Sequence, residues 1–195
     1  MAGLPLKKPE YEFTYGDYYK WNDDKRWELI DGVAYDMTPA PLRIHQKVHM
    51  NLINEFFTYL KDKECEVYGA PFDVRLPEGD EADDDVPTVV QPDILVVCDK
   101  SKLDRRGMRG APDLAVEILS EHTLKKDMTV KLDLYERHHV KEYWIVNPDG
   151  KNIMVFKLDG RSKKYKKPET YFPGDELKVG IFKNLTIQLD DVFKE

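Results

Sequence analysis

QPDILVV at residues 91–97 and GAPDLAVEILS at residues 110–120 are the stretches that decide how this chain folds. Each is a short apolar run rich in β-branched residues, the pattern of a central, largely buried strand. Each also carries a carboxylate inside that run: Asp93 among Pro92, Ile94, Leu95, Val96 and Val97, and Glu117 among Leu114, Ala115, Val116, Ile118 and Leu119. A carboxylate so placed costs several kcal/mol unless it is paired or coordinates a cation. One such acid can be structural. Two on strands close in sequence point to a divalent-metal site.

Working outward, Thr14 followed by Asp17 has the form of a capping box opening a short helix through about Trp21. RWELIDGVAYDMT (26–38) reads as a hairpin turning at Asp31-Gly32. From Leu42 to about Lys61 the apolar period is helical, with His45, His49, Leu52, Phe56 and Leu60 on one stripe. Glu66 to Leu76 is strand-like, and EGDEADDDVP (78–87) is an acidic loop. A polar, basic connection joins the Asp93 and Glu117 strands. A helix is expected from Thr123 to about His138, with Val130, Leu134 and Leu132 inward. KEYWIVNPDG (141–150) is a buried strand stopped by a turn, NIMVFKL (152–158) its hairpin partner, and KKYKKPETYF and NLTIQLDDVF supply closing strands. The order is helix, three strands, helix, strand: one α/β domain over residues 1–195.

Composition sets the bounds. Hydrophobic residues are 41% and charged residues 34% of the chain, ordinary for a soluble globular protein. No apolar run approaches the ~20 residues that cross a bilayer, and MAGLPLKKPE at the start lacks the apolar segment of a signal peptide. Cys65 and Cys98 show no metal-ligand spacing, so two buried free thiols and a cytoplasmic location are expected. The net charge of -7 is uneven. Residues 1–100 hold 11 Lys+Arg against 21 Asp+Glu, whereas residues 101–170 hold 16 against 11. Lys102, Arg105, Arg106 and Arg109 form one basic cluster; Arg161, Lys163, Lys164, Lys166 and Lys167 form another. Both fit either phosphate contacts or solvated loops and strand edges.

Neighbouring strands can bring Asp93 and Glu117 together. Pro92, Ile94, Val116 and Ile118 alternate to the opposite face. Two hard oxygen ligands, a backbone carbonyl and water suit Mg²⁺ or Mn²⁺, and no Cys/His cluster exists for zinc. Asp127, Lys131 and Tyr135 follow at i, i+4 and i+8 on one helical face. That face is either an exposed ion-paired surface or the third part of the site, where a lysine orients water or stabilises phosphoryl charge. His45 on its apolar stripe and Glu28 in WELI are further candidates, each with a structural alternative: a satisfied core histidine and an arginine-paired acid.

At these residues the chain resembles the Uma-type, restriction-endonuclease-like branch of the PD-(D/E)XK nuclease superfamily. The resemblance runs through WELIDG (27–32), PLRIHQKV (41–48), APFDVRL (70–76), QPDILVV, GAPDLAVEILS, the lysine–tyrosine helix and KEYWIVNPDG. It implies a mixed central sheet flanked by helices, with an added N-terminal helix and hairpin and C-terminal strands. Asp93 matches the PD aspartate and Glu117 the second acidic position. The superfamily's lysine two residues further on is replaced here by Leu119, and Lys131 on the next helix takes its place. Glu28 and His45 match positions where the branch carries Glu and His. The reaction implied is metal-dependent hydrolysis of DNA phosphodiester bonds, with Asp93, Glu117 and the Ile118 carbonyl holding the ion and Lys131 assisting water. A homodimer suits cleavage of both strands. A non-catalytic module binding nucleic acid or protein on the same scaffold is the alternative.

Overall fold

The computed structural model describes residues 13–37, 42–120 and 123–194. The leader expectation for residues 1–10 and the last residue of the expected hairpin, Thr38, lie outside them. Helix α1 (Tyr15–Tyr18) opens where Thr14 N donates to Asp17 Oδ2 at 3.2 Å. It is shorter than the helix through Trp21 that the sequence suggested. Strands β1 (Trp27–Ile30) and β2 (Val33–Asp36) form the expected hairpin, with Asp31 at φ 52° and Gly32 at φ 73° supplying the left-handed turn. Helix α2 (Arg43–Leu60) follows, buried on the stripe His45, Val48, Leu52, Phe56 and Leu60.

The strand expected over 66–76 is divided. β3 (Glu66–Gly69) and β4 (Val74–Arg75) belong to different sheets. Strands β5 (Val89–Val90) and β6 (Ile94–Val97) come next. The connection expected to be irregular holds two short strands, β7 (Leu103–Asp104) and β8 (Gly107–Arg109), and leads to β9 (Leu114–Ile118). The second helix has three parts: α3 (Leu124–Lys126), a π-helical turn (Asp127–Lys131) and α4 (Leu132–Arg137). Then come β10 (Glu142–Asn147), β11 (Asn152–Lys157), β12 (Glu169–Tyr171), a hairpin of β13 (Glu176–Lys178) and β14 (Thr186–Gln188), and a closing helix α5 (Leu189–Phe193). β13 and α5 carry too few residues for a period to show in the sequence.

The central sheet runs β12-β11-β10-β9-β6-β3, with β9 and β10 parallel and the remaining pairs antiparallel. A parallel pair needs a crossover, and the segmented helix over 124–137 supplies it. Alternation divides the sheet's two faces. Ile94, Val96, Val116, Ile118, Trp144 and Val146 pack with α2 and the C-terminal hairpin and helix. Leu95, Val97, Ala115, Leu119, Tyr143 and Ile145 pack with the crossover helix and the second sheet, ordered β2-β1-β5-β4-β8-β7. A third cluster of Tyr15, Trp27, Leu29 and Val89 lies on the outer side of that second sheet.

Cys65 and Cys98 are joined as a disulfide, which corrects the expectation of two free thiols. Antiparallel pairing of Glu66 with Val97 sets the next residues outward, Cys65 and Cys98, directly opposite each other. That register is not legible in spacing alone. Gly69, at the other end of β3, lets α2 approach closely: a Cβ there would lie 2.7 Å from Ile53 Cδ1 and 3.0 Å from His49 Nε2. Gly69→Ala is therefore expected to destabilise the fold by about 1–3 kcal/mol through overpacking, measured by urea unfolding. An unchanged midpoint would show that α2 is not held this tightly.

Candidate active site

The alternation that buries Ile94, Val116 and Ile118 against α2 turns Glu117 to the opposite face, whereas Asp93 stands in the bend just before β6. Ile94 pairs with Val116, so the register continued by one residue sets Asp93 across from Glu117. Asp93 is fixed there by three groups. Its Oδ2 accepts a hydrogen bond from Ile118 N at 2.7 Å and lies 3.3 Å from His45 Nε2. Its carbonyl accepts from His49 Nε2 at 2.9 Å. His45 and His49 are one turn apart on α2, so a single helix face grips both the side chain and the backbone of Asp93. His49 appeared in the sequence only as part of an apolar stripe.

Lys131 is the hub. Its Nζ lies 2.8 Å from Glu117 Oε1, 2.8 Å from Glu28 Oε1 and 3.9 Å from Asp127 Oδ1. Tyr135 donates its hydroxyl to the same Glu117 oxygen at 2.8 Å. Asp127 and Lys131 are each 1% exposed and Tyr135 is fully buried, which rejects the solvated ion-paired face. The π-helical turn spans Asp127 to Lys131, so its wider i→i+5 winding carries the two charged groups into the sheet. Val130 and Leu132, expected inward, are only partly buried, while Leu134 is buried as expected.

Glu28 reaches the cluster because β1 lies between two apolar layers, Trp27 and Leu29 facing one and Glu28 and Ile30 the other. It is wholly buried, and its partners are Lys126 Nζ at 2.7 Å, Lys131, and Gln91 N at 2.9 Å. The arginine partner considered from sequence is absent; lysines fill that place. Lys126 and Gln91 gave no signal in the sequence, since neither stands in an apolar period.

Electrostatics follow from this crowding. Burial pushes the Glu117 carboxyl well above the usual carboxylate range; Lys131 opposes the shift, and Asp127, Asp93 and Glu28 add to it. Burial likewise raises Asp127. Burial also pushes Glu28 upward, but Lys126 and Lys131 outweigh it and hold that carboxyl below its ordinary range. Lys131 itself is held far above the ordinary lysine value, since Glu117, Glu28 and Asp127 together overcome its burial. It is an ammonium ion.

At full ionisation Glu28, Asp93, Glu117 and Asp127 bring four negative charges against two positive from Lys126 and Lys131. Burial of Glu117 and Asp127 opposes that full ionisation. Asp127 Oδ1 is buried without a hydrogen bond, and no described residue donates to Glu117 Oε2. Among the described residues, no group of three or more His, Cys, Asp or Glu is set to hold a metal. Carboxylate oxygens are hard donors, the kind that Mg²⁺ takes one or two of while keeping its water.

The family described as "Uma2: Putative restriction endonuclease" matches residues 15–190. The chain belongs to the Uma2 family. Among solved structures it is similar to one titled as a putative nuclease belonging to DUF820 from Anabaena variabilis. The TM-score is 0.73 at 18% sequence identity, over 93% of this chain and 97% of that one, which is a likeness of fold. No curated protein matches. The restriction-endonuclease-like core expected from sequence is thus the fold this Uma2 chain adopts. Among its described residues, no helix is long and apolar enough to cross a membrane.

Removing the hub cation leaves buried acids unpaired. Lys131→Met is expected to lower stability at pH 7 by about 3–5 kcal/mol. The loss shrinks at pH 5. A carboxyl whose folded pKa is raised, as that of Glu117 is, contributes stability that is full below its unfolded pKa and declines as pH rises through the folded value. Urea unfolding of the variant at pH 5 and pH 8 checks this; equal losses at both values would remove Lys131 from the charge balance of Glu117.

Proposed function

We propose that the chain is a metal-dependent endonuclease that hydrolyses DNA phosphodiester bonds in the cytoplasm, with Asp93, Glu117 and the Ile118 carbonyl as ligands of Mg²⁺ or Mn²⁺. The observation that carries the reading is a buried acid cluster that gathers Glu28, Glu117 and Asp127 around Lys131, with Asp93 bonded to the backbone of Ile118 next to Glu117. When bound, such a cation supplies Lewis acidity toward a phosphoryl oxygen and toward water.

The chain's own residues supply the rest. Ile118 N and His45 hold Asp93 Oδ2, so the carboxylate is oriented before a ligand arrives. Lys131 and Tyr135 hold Glu117 Oε1 and so turn Oε2 toward the ligand position. The Lys131 ammonium also serves as a fixed positive charge beside phosphoryl oxygens as negative charge grows on them. Glu28 keeps that ammonium in place, and Lys126 and Gln91 N keep Glu28 in place. As a homodimer, two copies would present one site to each strand.

One observation favours the non-catalytic reading: Glu117 Oε1 already accepts two hydrogen bonds, a self-sufficient arrangement for a binding module. Asp93→Asn separates the two. It keeps the side-chain shape, and the endonuclease reading expects at least about a 100-fold loss in nicking of supercoiled DNA with Mg²⁺ or Mn²⁺. Weakened divalent-ion binding by calorimetry should accompany that loss. Chelator should abolish wild-type nicking. A wild type that neither nicks DNA nor binds the ions would favour the binding module.

A further inference from the structure

The N-terminal helix and hairpin set four aromatic rings around one opening. Tyr18, Tyr19, Trp21 and Trp27 wall a cavity of about 240 Å³ whose remaining lining includes Arg26 and Gln91. Tyr19 is 59% exposed. Trp21 is braced edge-on by Phe13, Tyr18 and Trp27, with ring centroids 5.1 to 5.7 Å away, so its ring is held rather than free. Drug-sized ligands occupy roughly 300–1,000 Å³, so this slot fits one ring system and not a stacked pair.

Its charged groups sort into satisfied and available ones. Asp23 accepts from Trp27 Nε1 at 3.0 Å and from Lys25 N at 3.2 Å, and Lys25 is paired with Asp36 at 3.0 Å. The Arg26 guanidinium donates to Gln91 Oε1 at 2.8 Å, a neutral partner, and no described carboxylate forms an ion pair with it. Arg106 lies 4.4 Å from the Tyr19 ring and backs it, with its own guanidinium paired to Asp84. Aromatic rings beside an arginine are what a base with its phosphate requires. Gln91 then ties the slot to the acid cluster: its side chain bonds Arg26, Tyr18 and Asp73, while its own N–H donates to Glu28.

We propose that this slot receives one unpaired nucleobase of the substrate, with Arg26 on the adjoining phosphate, so that the protein engages nucleic acid at a single-stranded or locally opened position beside the acid cluster. This rests on the endonuclease reading for its substrate class. A base in a duplex has its faces covered by its neighbours and its edge paired; an unpaired or extruded one has a face free to meet an aromatic ring.

Fluorescence anisotropy tests it, with a short fluorescein-labelled single strand and its duplex at fixed salt in chelator, where nothing is cut. The single strand is expected to bind about tenfold tighter than the duplex, and Tyr19→Ala or Arg26→Ala to weaken the single strand by about tenfold. Tyr19→Phe, which keeps the ring, should retain that affinity. Equal binding of both forms, or single-strand binding unmoved by Tyr19→Ala in a variant folded by circular dichroism, overturns the slot. If wild type still cuts DNA with Mg²⁺ or Mn²⁺ in that case, the endonuclease reading stands alone. Single-strand binding through the slot without cleavage upholds the slot and overturns the endonuclease reading.

Discussion

The ammonium of Lys131, held between Glu28 and Glu117 at 2.8 Å each, is the constraint on which the rest of the structure depends. Three elements are joined there: the N-terminal hairpin through Glu28, the central sheet through Glu117, and the crossover helix through Lys131. A buried ion pair of this kind gains little over an apolar substitute of equal volume. Its value lies in geometry. An apolar core would tolerate a sliding helix or a shifted strand, whereas a three-way charge cluster is costly in any other arrangement.

This also explains why the second sheet is fastened so firmly. Arg75, fully buried on β4, places its guanidinium 2.6 Å from Asp104 Oδ2 and also bonds Asp83, so the acidic loop folds back on the sheet. Arg106 and Arg109 turn to the same loop. The first basic cluster of the sequence is therefore largely spent on internal pairing. Lys164 and Lys166 of the second cluster pair with Glu136 and Asp159 in the same way. Arg161, Lys163 and Lys167 of that second cluster stay exposed.

Legibility followed local pattern. The helix–strand–strand–strand–helix–strand order, the Asp31-Gly32 turn, and the face to which Glu117 points are all consequences of period and turn chemistry, and all could be read from residues. So could the shared face of Asp127, Lys131 and Tyr135, though not its burial, since a π-helical turn leaves no mark in a three-to-four residue period. What could not be read was register and long-range contact. Cys65 meets Cys98 across a strand pairing, Gln91 reaches Glu28 through a backbone N–H, and Lys126 reaches Glu28 across 98 residues of sequence. Such partners are chosen by the assembled sheets, not by neighbours in the chain.

The same logic accounts for the lysine that is absent from the end of β9. Glu117 and Leu119 share one face of the strand, and Leu119, only 8% exposed, packs in the apolar cluster under the crossover helix. A lysine there would enter that cluster from the sheet side and displace apolar packing. Carried on the helix instead, Lys131 enters from above and leaves the apolar floor intact. It also arrives with Lys126 and Tyr135, which the strand could not supply, since its alternate residues are committed to the opposite core. A cation carried on the helix therefore couples the polarity of the acid pair to the position of the helix: any displacement of the 124–137 segment removes the counter-charge from Glu117 and Glu28 together.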